Sequence, residues 1–180
     1  MKSKILKTAE EMIRNGGYNA FSFRDIAAAV GIKSASVHYH FATKEALVCA
    51  VVEHYSEDFF TFLSKQAATA TDAHSKLDAY CKSFLLAYTS TGKSCLCGIL
   101  SNEVCSLPDS VRACLNQFVE ANMDWLMNAL SELPNIESRR TKARLFYTAL
   151  EGAIATSVLT NDAVWVESVS AQLLKDLKNG

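Results

Sequence analysis

Proline and glycine are scarce in this sequence, and long apolar runs are absent. The 180 residues include two prolines and seven glycines, and β-branched residues show little clustering, which disfavours a β-rich fold. No stretch approaches the ~20 apolar residues that a membrane-spanning helix needs. The apolar content of 49% still provides enough side chains for a core. We therefore expect an all-α protein of about nine helices that has no membrane partner.

The sequence also lacks the common signals for export and for catalysis. Residues 1–5 do not begin the long apolar run of a secretory signal peptide, so we expect a cytoplasmic protein whose six cysteines are reduced. Cys-x-x-Cys and His-x-x-x-His pairs, a nucleotide-binding loop and a nucleophile elbow are all missing. We therefore expect no metal, no cofactor and no enzymatic activity.

Charge is unevenly distributed along the chain. Residues 1–47 carry seven basic and four acidic side chains, whereas the remainder carries eleven basic and fifteen acidic ones. A basic head on an acidic body suits a polyanionic ligand near the N-terminus.

Turn and capping residues divide the first part of the chain into short helices. Apolar residues recur at helical spacing up to Asn15, and Gly16-Gly17 ends this helix because glycine accepts the left-handed conformation. Ser22 and Asp25 fit a capping box that begins a second helix. Gly31 ends that helix after barely two turns. Two further helices follow, for which Ser34 and Thr43 are predicted as N-caps.

The second and third helices, with the glycine turn between them, have the pattern of a helix-turn-helix. Val37 and Phe41 are expected in its core, and the outer face of the third helix is polar. That face carries small hydroxyl and imidazole groups, which can approach the major groove of DNA: Ser34, Ser36, His38, Tyr39 and His40.

These segments resemble the TetR/AcrR repressors. The resemblance rests on Gly17-Tyr18, on the stretch from Ser22 to Phe41 and on Lys44-Glu45-Ala46-Leu47, and it covers roughly residues 5–50. It implies a DNA-binding head over residues 1–47 and an effector-binding and dimerisation body over residues 48–180. It further implies a repressor that binds double-stranded operator DNA as a homodimer and leaves it when a small effector binds.

Matching the family's motif position by position implies a set of DNA contacts. Lys44 and Thr43 lie at the positive end of the fourth helix, where a phosphate binds well. Position 38, often tyrosine in the family, is histidine here, and position 21, commonly threonine, is Phe21, which suggests core packing. The candidates for contacts to bases or phosphates are Arg24, Lys33, Ser34, Ala35, Ser36, His38, Tyr39, His40, Thr43 and Lys44.

The last two helices are amphipathic and are expected to form the dimer interface. Paired with their copies they would form a four-helix bundle, as the resemblance implies, although packing within one protomer would give the same pattern. The interface residues expected on this basis are Leu145, Ala149, Gly152, Ala153, Ile154, Val166, Val169 and Leu173.

Between the head and these helices, aromatic and other apolar residues are frequent. The resemblance implies an effector pocket here, and this composition favours an apolar small molecule; an electrophilic effector is suggested only by the cysteines. Taken one by one, these residues are more readily explained as ordinary core. The candidate lining residues are Phe59, Phe62, Phe84, Tyr88, Cys95, Leu100, Phe118, Trp125 and Tyr147.

The cysteines allow a second interpretation, a repressor that senses oxidants or electrophiles. Cys95 follows Lys93 by two residues and lies near a predicted helix start, and both features favour the thiolate. Cys97 or Cys105 would be the resolving partner. Alternatively, these cysteines are small buried hydrophobes. A thiol-dependent enzyme and a helical adaptor that binds no DNA remain as alternatives of other classes.

Overall fold

A computed structural model describes residues 1–178, and this part of the chain is all-α, as predicted. It contains nine α-helices and two 3₁₀ turns, Tyr18–Ala20 and Val104–Ser106, and no strand. The helices are α1 (Lys2–Gly16), α2 (Phe23–Val30), α3 (Ser34–His40), α4 (Lys44–Gln66), α5 (Ala73–Thr91), α6 (Leu96–Asn102), α7 (Asp109–Ala129), α8 (Ile136–Thr160) and α9 (Val164–Lys178). None of the described helices is both long and apolar enough to cross a membrane.

The helices form two compact units. Unit 1 comprises Met1–Asp58 and Leu96–Phe118, and unit 2 comprises Phe59–Cys95 and the chain from Val119 onward. This division differs from the expected boundary at residue 47. The reason is that α6 packs against α1, which places a segment from the middle of the chain in the same unit as the head.

The core of the head is formed by the faces that the apolar spacing predicts. Ile5 and Ile13 of α1, Ile26 of α2 and Val37 of α3 are fully buried. Each such side chain contributes about 1.5–3 kcal/mol relative to an exposed one. Phe41, in the link between α3 and α4, is also buried. The predicted core positions of the helix-turn-helix are therefore confirmed.

The helix ends of the head confirm most of the predicted caps. Ser22 and Asp25 form both hydrogen bonds of a capping box, and Gly31 adopts the left-handed conformation with φ 77° and ψ 38°. The amide of Ala46 donates to the hydroxyl of Thr43 at 3.1 Å. The N-cap of α3, however, is Lys33, which makes no side-chain capping bond, and Ser34 is the first helical residue.

Gly17 ends α1 in a different conformation from the one predicted. Its φ is 82° and its ψ is −171°, so it combines a positive φ with an extended ψ. Only glycine adopts this region readily. The prediction of a glycine stop is therefore right, whereas the predicted left-handed helical conformation is wrong.

Unit 2 is built around one apolar core to which α5, α7, α8 and α9 contribute. Four residues expected at the dimer interface, Ala153, Ile154, Val166 and Leu173, are buried in this core within a single protomer. These four side chains are thus already covered without a partner, and their place at a dimer interface stays a prediction. An amphipathic stripe shows that a helix face is covered, but it does not show whether the cover is another helix of the same chain.

One disulfide corrects the expectation that all six cysteines are reduced. Cys49 of α4 and Cys114 of α7 are bonded, with their Cα atoms 5.7 Å apart and a separation of 65 positions in sequence. α4 and α7 also meet in unit 1 through the rings of Tyr55 and Phe118, whose centroids are 5.8 Å apart. Packing of these two helices brings the two cysteines within bridging distance.

Candidate nucleic-acid interface

The turn between α2 and α3 holds the two helices in the arrangement of a helix-turn-helix. The amides of Gly31 and Ile32 both donate to the carbonyl of Ala27, at 3.0 and 2.9 Å. Ala27 itself is buried, and its small side chain allows α3 to pack closely on α2. The polar outer face of α3 is therefore held in a defined direction by its own neighbours.

The predicted contact face of α3 is accessible. Ala35, His38 and Tyr39 are exposed, whereas Ser34, Ser36 and His40 are half-buried. The side chain of Tyr39 is 87% exposed, which is unusual for so large an aromatic residue and is typical of a contact site. A shallow groove of about 370 Å³ runs along this face and is lined by Met1, Ile32, Lys33, Ala35, Ser36, Tyr39 and His40.

Ring contacts involve three of the candidate side chains. The imidazole of His38 packs edge-on against the buried ring of Phe23, with the centroids 4.6 Å apart. The rings of Tyr39 and His40 meet in a T-shaped arrangement at 5.3 Å. The exposed side chain of His38 on α3 is therefore braced against Phe23 of α2.

Lys44 lies in a pocket of two aromatic rings. Its Nζ donates to the carbonyl of Phe21 at 2.6 Å and lies 4.4 Å from the centroid of the Phe21 ring and 4.7 Å from that of Tyr18. Partial burial lowers the pKa of Lys44, while the carboxylates of Glu45 and Asp25 act in the opposite direction. An ammonium carries three donors, so two remain for a phosphate. Phe21 is buried, as predicted.

Some hydrogen-bonding groups at the N-terminus of α4 are already used by Thr43 and Glu45 of the same segment. Hydrogen bonds from its own amide and from the Thr43 hydroxyl lower the pKa of the Glu45 carboxyl. Thr43 also caps Ala46. Of the two predicted contacts at this helix end, Lys44 keeps two N–H donors for a phosphate, whereas Thr43 serves chiefly as a cap.

Arg24 and Lys33 extend from the head as exposed cations. Within residues 1–178 neither side chain forms an ion pair or a hydrogen bond. Asp25, next to Arg24, accepts hydrogen bonds from the amide and the hydroxyl of Ser22, both at 2.7 Å, and these bonds lower the pKa of its carboxyl. The one acidic group of α2 is thus committed to capping, which leaves the cations available to a polyanion.

Comparison with known proteins identifies the family. A family model described as bacterial regulatory proteins of the tetR family matches residues 5–51. The crystal structure of a TetR transcriptional regulator from Legionella pneumophila superimposes with a TM-score of 0.90 and 33% identity, covering 98% of this chain and 96% of that one. The chain belongs to the TetR family.

Two curated HTH-type regulators are similar to part of this TetR-family chain. The transcriptional repressor KstR2 of Rhodococcus jostii is 31% identical over 78 residues, which are 43% of this chain and 38% of that protein. The negative transcriptional regulator IcaR of the biofilm operon icaADBC in Staphylococcus epidermidis is 36% identical over 63 residues, 35% of this chain and 34% of that protein. The match thus spans little more than a third of either relative.

The predicted effector residues of this TetR-family chain lie in both units. Phe59, Phe84, Tyr88, Cys95, Trp125 and Tyr147 belong to unit 2, and Leu100 and Phe118 belong to unit 1. Phe62 differs from the rest because its side chain is 37% exposed. The pocket itself stays a prediction.

Unit 2 contains an aromatic and polar cluster that the sequence reasoning missed. Tyr80 is fully buried, its ring stacks on Trp125 at 5.4 Å, and its hydroxyl donates to Oδ1 of Asn122 at 2.8 Å. Tyr80 precedes the predicted Phe84 by four residues, a helical spacing that places both on one face and could have identified it.

Glu151 of α8 is the other group missed in unit 2. Both of its carboxylate oxygens are buried without an O–H or N–H donor among the described residues, and the thiol of Cys95 faces them. Burial raises the pKa of the Glu151 carboxyl well above its usual value, and Cys95 adds to the shift. A single glutamate in a helix resembles a solvated charge, so sequence alone gave no signal.

The predicted redox cysteines are mostly inaccessible. Cys95 and Cys97 are buried, whereas Cys105 is exposed. A reactive thiol needs access as well as a depressed pKa, so burial disfavours the sensing role that Cys95 was assigned. That role stays a prediction without support from the geometry.

Proposed function

We propose that this TetR-family chain is a transcriptional repressor that binds a palindromic operator as a homodimer and is released by a small effector. The observation that carries the proposal is the outer face of α3. The exposed side chain of Tyr39 and that of His38, which packs on Phe23, lie on this face. Lys33 lines the same groove as Tyr39, and Arg24 of α2 is a further exposed cation. Hydroxyl, imidazole and guanidinium groups are the ones that read base edges and phosphates.

Exposed apolar residues on α8 support dimerisation. Leu145 is 51% exposed and Leu159 is 84% exposed, and Gly152, also exposed, lies seven residues from each. Residues at this spacing form one stripe along a helix. A Cβ on Gly152 would meet no atom within 4 Å in the protomer, so the stripe is open to a partner helix. Val169 and Ala149 are half-buried, so they can also contact a partner. The proposed interface therefore consists of this stripe and these two residues, and it omits the predicted residues that are buried within the protomer.

The dimer can be tested by analytical ultracentrifugation of Gly152→Glu. The protomer has room for the new side chain, so its fold is retained, but a charge at the centre of an apolar interface disrupts association. We expect the wild type to sediment as a dimer and the variant as a monomer. Ala113→Glu, at an exposed position of α7, is the control. A wild type that sediments as a monomer contradicts the proposal.

DNA binding can be tested by a salt titration against duplexes from upstream of the gene. Because phosphate contacts release counterions, log K falls linearly with log salt concentration, by about 0.9 per contact. Lys44→Ala should weaken binding several-fold with folding unchanged, whereas Lys65→Ala, at an exposed position of α4 in unit 2, should have no effect. Equal affinity of Lys44→Ala and the wild type would count against the proposed docking.

A further inference from the structure

Glu103 connects the end of α6 to the head within unit 1. It follows α6 directly and is the N-cap of the 3₁₀ turn Val104–Ser106. Its Oε2 accepts a hydrogen bond from the backbone amide of Tyr18 at 2.9 Å, although the two residues are 85 positions apart in sequence. A bond to a charged acceptor is about twice as strong as a neutral one, so the contact holds the start of the Tyr18–Ala20 turn firmly.

The carboxylate of Glu103 lies directly against the backbone of Gly17. A Cβ built on Gly17 would lie 1.7 Å from Oε1 of Glu103 and 2.6 Å from its Cδ. The carboxylate therefore occupies the space that any other residue would fill with its own side chain. The turn after α1 is shaped around Glu103, both by the hydrogen bond to Tyr18 and by the absence of a side chain at position 17.

The same turn carries the two rings that surround Lys44. Tyr18 is the first residue of the turn, and Phe21 directly follows it. The Lys44 ammonium lies against both rings and donates to the Phe21 carbonyl. The Tyr18 hydroxyl also reaches Oε1 of Glu45 at 3.5 Å. A shift of the turn would therefore move the contacts that aim the lysine.

We infer that Glu103 is a positioning residue for DNA binding: by holding the turn at Tyr18, it fixes the Lys44 ammonium where a phosphate can meet it. Glu103 does not itself bind DNA, since its own charge would repel a phosphate. The inference rests on the proposed function, and it assigns to the segment after α6 a direct influence on one phosphate contact.

The test is a double-mutant cycle on the salt dependence of DNA binding. Fluorescence anisotropy would be measured over a range of KCl concentrations, on a duplex that the wild type selects from a random library. The proteins are the wild type, Glu103→Gln, Glu103→Ala, Lys44→Ala and the double variant Glu103→Ala/Lys44→Ala. Glu103→Gln keeps the acceptor oxygen and removes the charge, so it separates the hydrogen bond from simple repulsion of DNA.

The inference predicts a specific pattern. Glu103→Gln should bind at least as well as the wild type, whereas Glu103→Ala should lose about as much affinity as Lys44→Ala. The salt slope of Glu103→Ala should be smaller than that of the wild type by about 0.9, the value for one lost phosphate contact. The double variant should match Lys44→Ala alone, because residues that act through one contact are not additive.

Three results would overturn the inference: wild-type affinity in Glu103→Ala, an unchanged salt slope, or losses that multiply in the double variant. Thermal unfolding checks that each protein is folded. If Glu103→Ala does not fold, Glu103→Asp takes its place, because the shorter side chain keeps the charge but draws the carboxylate back from the Tyr18 amide. Unchanged affinity and slope in Glu103→Asp would also overturn the inference. A wild type that binds no duplex refutes the proposed function instead.

Discussion

The hydroxyl of Tyr80 donates to the amide oxygen of Asn122, and both side chains are fully buried in unit 2. Tyr80→Phe removes the donor and keeps the ring. Loss of one partner of a buried hydrogen bond costs about 1–3 kcal/mol, so we expect the free energy of unfolding to fall by that amount in urea titrations. Tyr88→Phe is the matched control, because Tyr88 is buried but its hydroxyl has no partner in residues 1–178. Equal effects of the two substitutions would refute a specific contribution of this bond.

The Cys49–Cys114 disulfide should stabilise unit 1. It closes a loop of 65 residues, for which the chain-entropy estimate is about 4 kcal/mol. We expect dithiothreitol to lower the denaturant midpoint of the wild type and to leave that of Cys49→Ser unchanged. Cys105→Ser, which changes an exposed free thiol, should behave like the wild type. A wild-type midpoint that does not respond to the reductant contradicts the bond.

The buried carboxyl of Glu151 should make stability depend on pH. Its pKa is raised in the folded state, so between the usual carboxyl value and the raised one the folded chain holds a proton that the unfolded chain has lost. Stability therefore falls as pH rises through this window, by at most about 1.4 kcal/mol per pH unit.

We expect Glu151→Gln to remove this dependence, because the amide cannot ionise. The unfolding free energy of the variant relative to the wild type should thus increase with pH above the usual carboxyl pKa. Glu120→Gln, at an exposed position of α7, should keep a constant offset from the wild type. A constant offset for Glu151→Gln as well would show that the carboxyl is not buried in the folded protein.

Two glycines with positive φ allow the fit at Glu103 to be tested separately. Gly17 and Gly92 have φ of 82° and 64°, but a Cβ has open space only at Gly92. Gly92 is left-handed helical, where alanine costs about 1–2 kcal/mol, whereas Gly17 lies in the region that only glycine adopts readily, where strain is about 1–3 kcal/mol. Gly17→Ala must in addition displace the Glu103 carboxylate. We expect thermal melts to show the larger loss for Gly17→Ala for both reasons, so the measurement that bears on Glu103 is DNA binding, which only Gly17→Ala should weaken.

The features that could be predicted from the sequence are those that depend on residues close together in the chain. The capping box at Ser22, the turn at Gly31 and the burial of Val37 and Phe41 follow from spacing and from turn chemistry, because each involves residues a few positions apart. Together with the resemblance, these features predicted the helix-turn-helix and its exposed face.

Tertiary contacts could not be predicted in the same way. The bond between Cys49 and Cys114 and the contact between Glu103 and Tyr18 join residues 65 and 85 positions apart, and no periodic pattern encodes such pairs. The apolar stripe of α9 predicts a contact with a partner subunit, but Val166 and Leu173 are already buried within the protomer. Periodicity identifies a buried face but not what covers it.

The central claim, that the outer face of α3 meets DNA, is tested most directly by a charge-matched pair at Ala35. This residue is exposed on α3, so neither Ala35→Glu nor Ala35→Gln should disturb the fold, and the two variants differ mainly in charge. In anisotropy titrations with the selected duplex we expect Ala35→Gln to bind and Ala35→Glu to lose binding, because a carboxylate on this face repels phosphates. Equal binding by both variants would contradict the account.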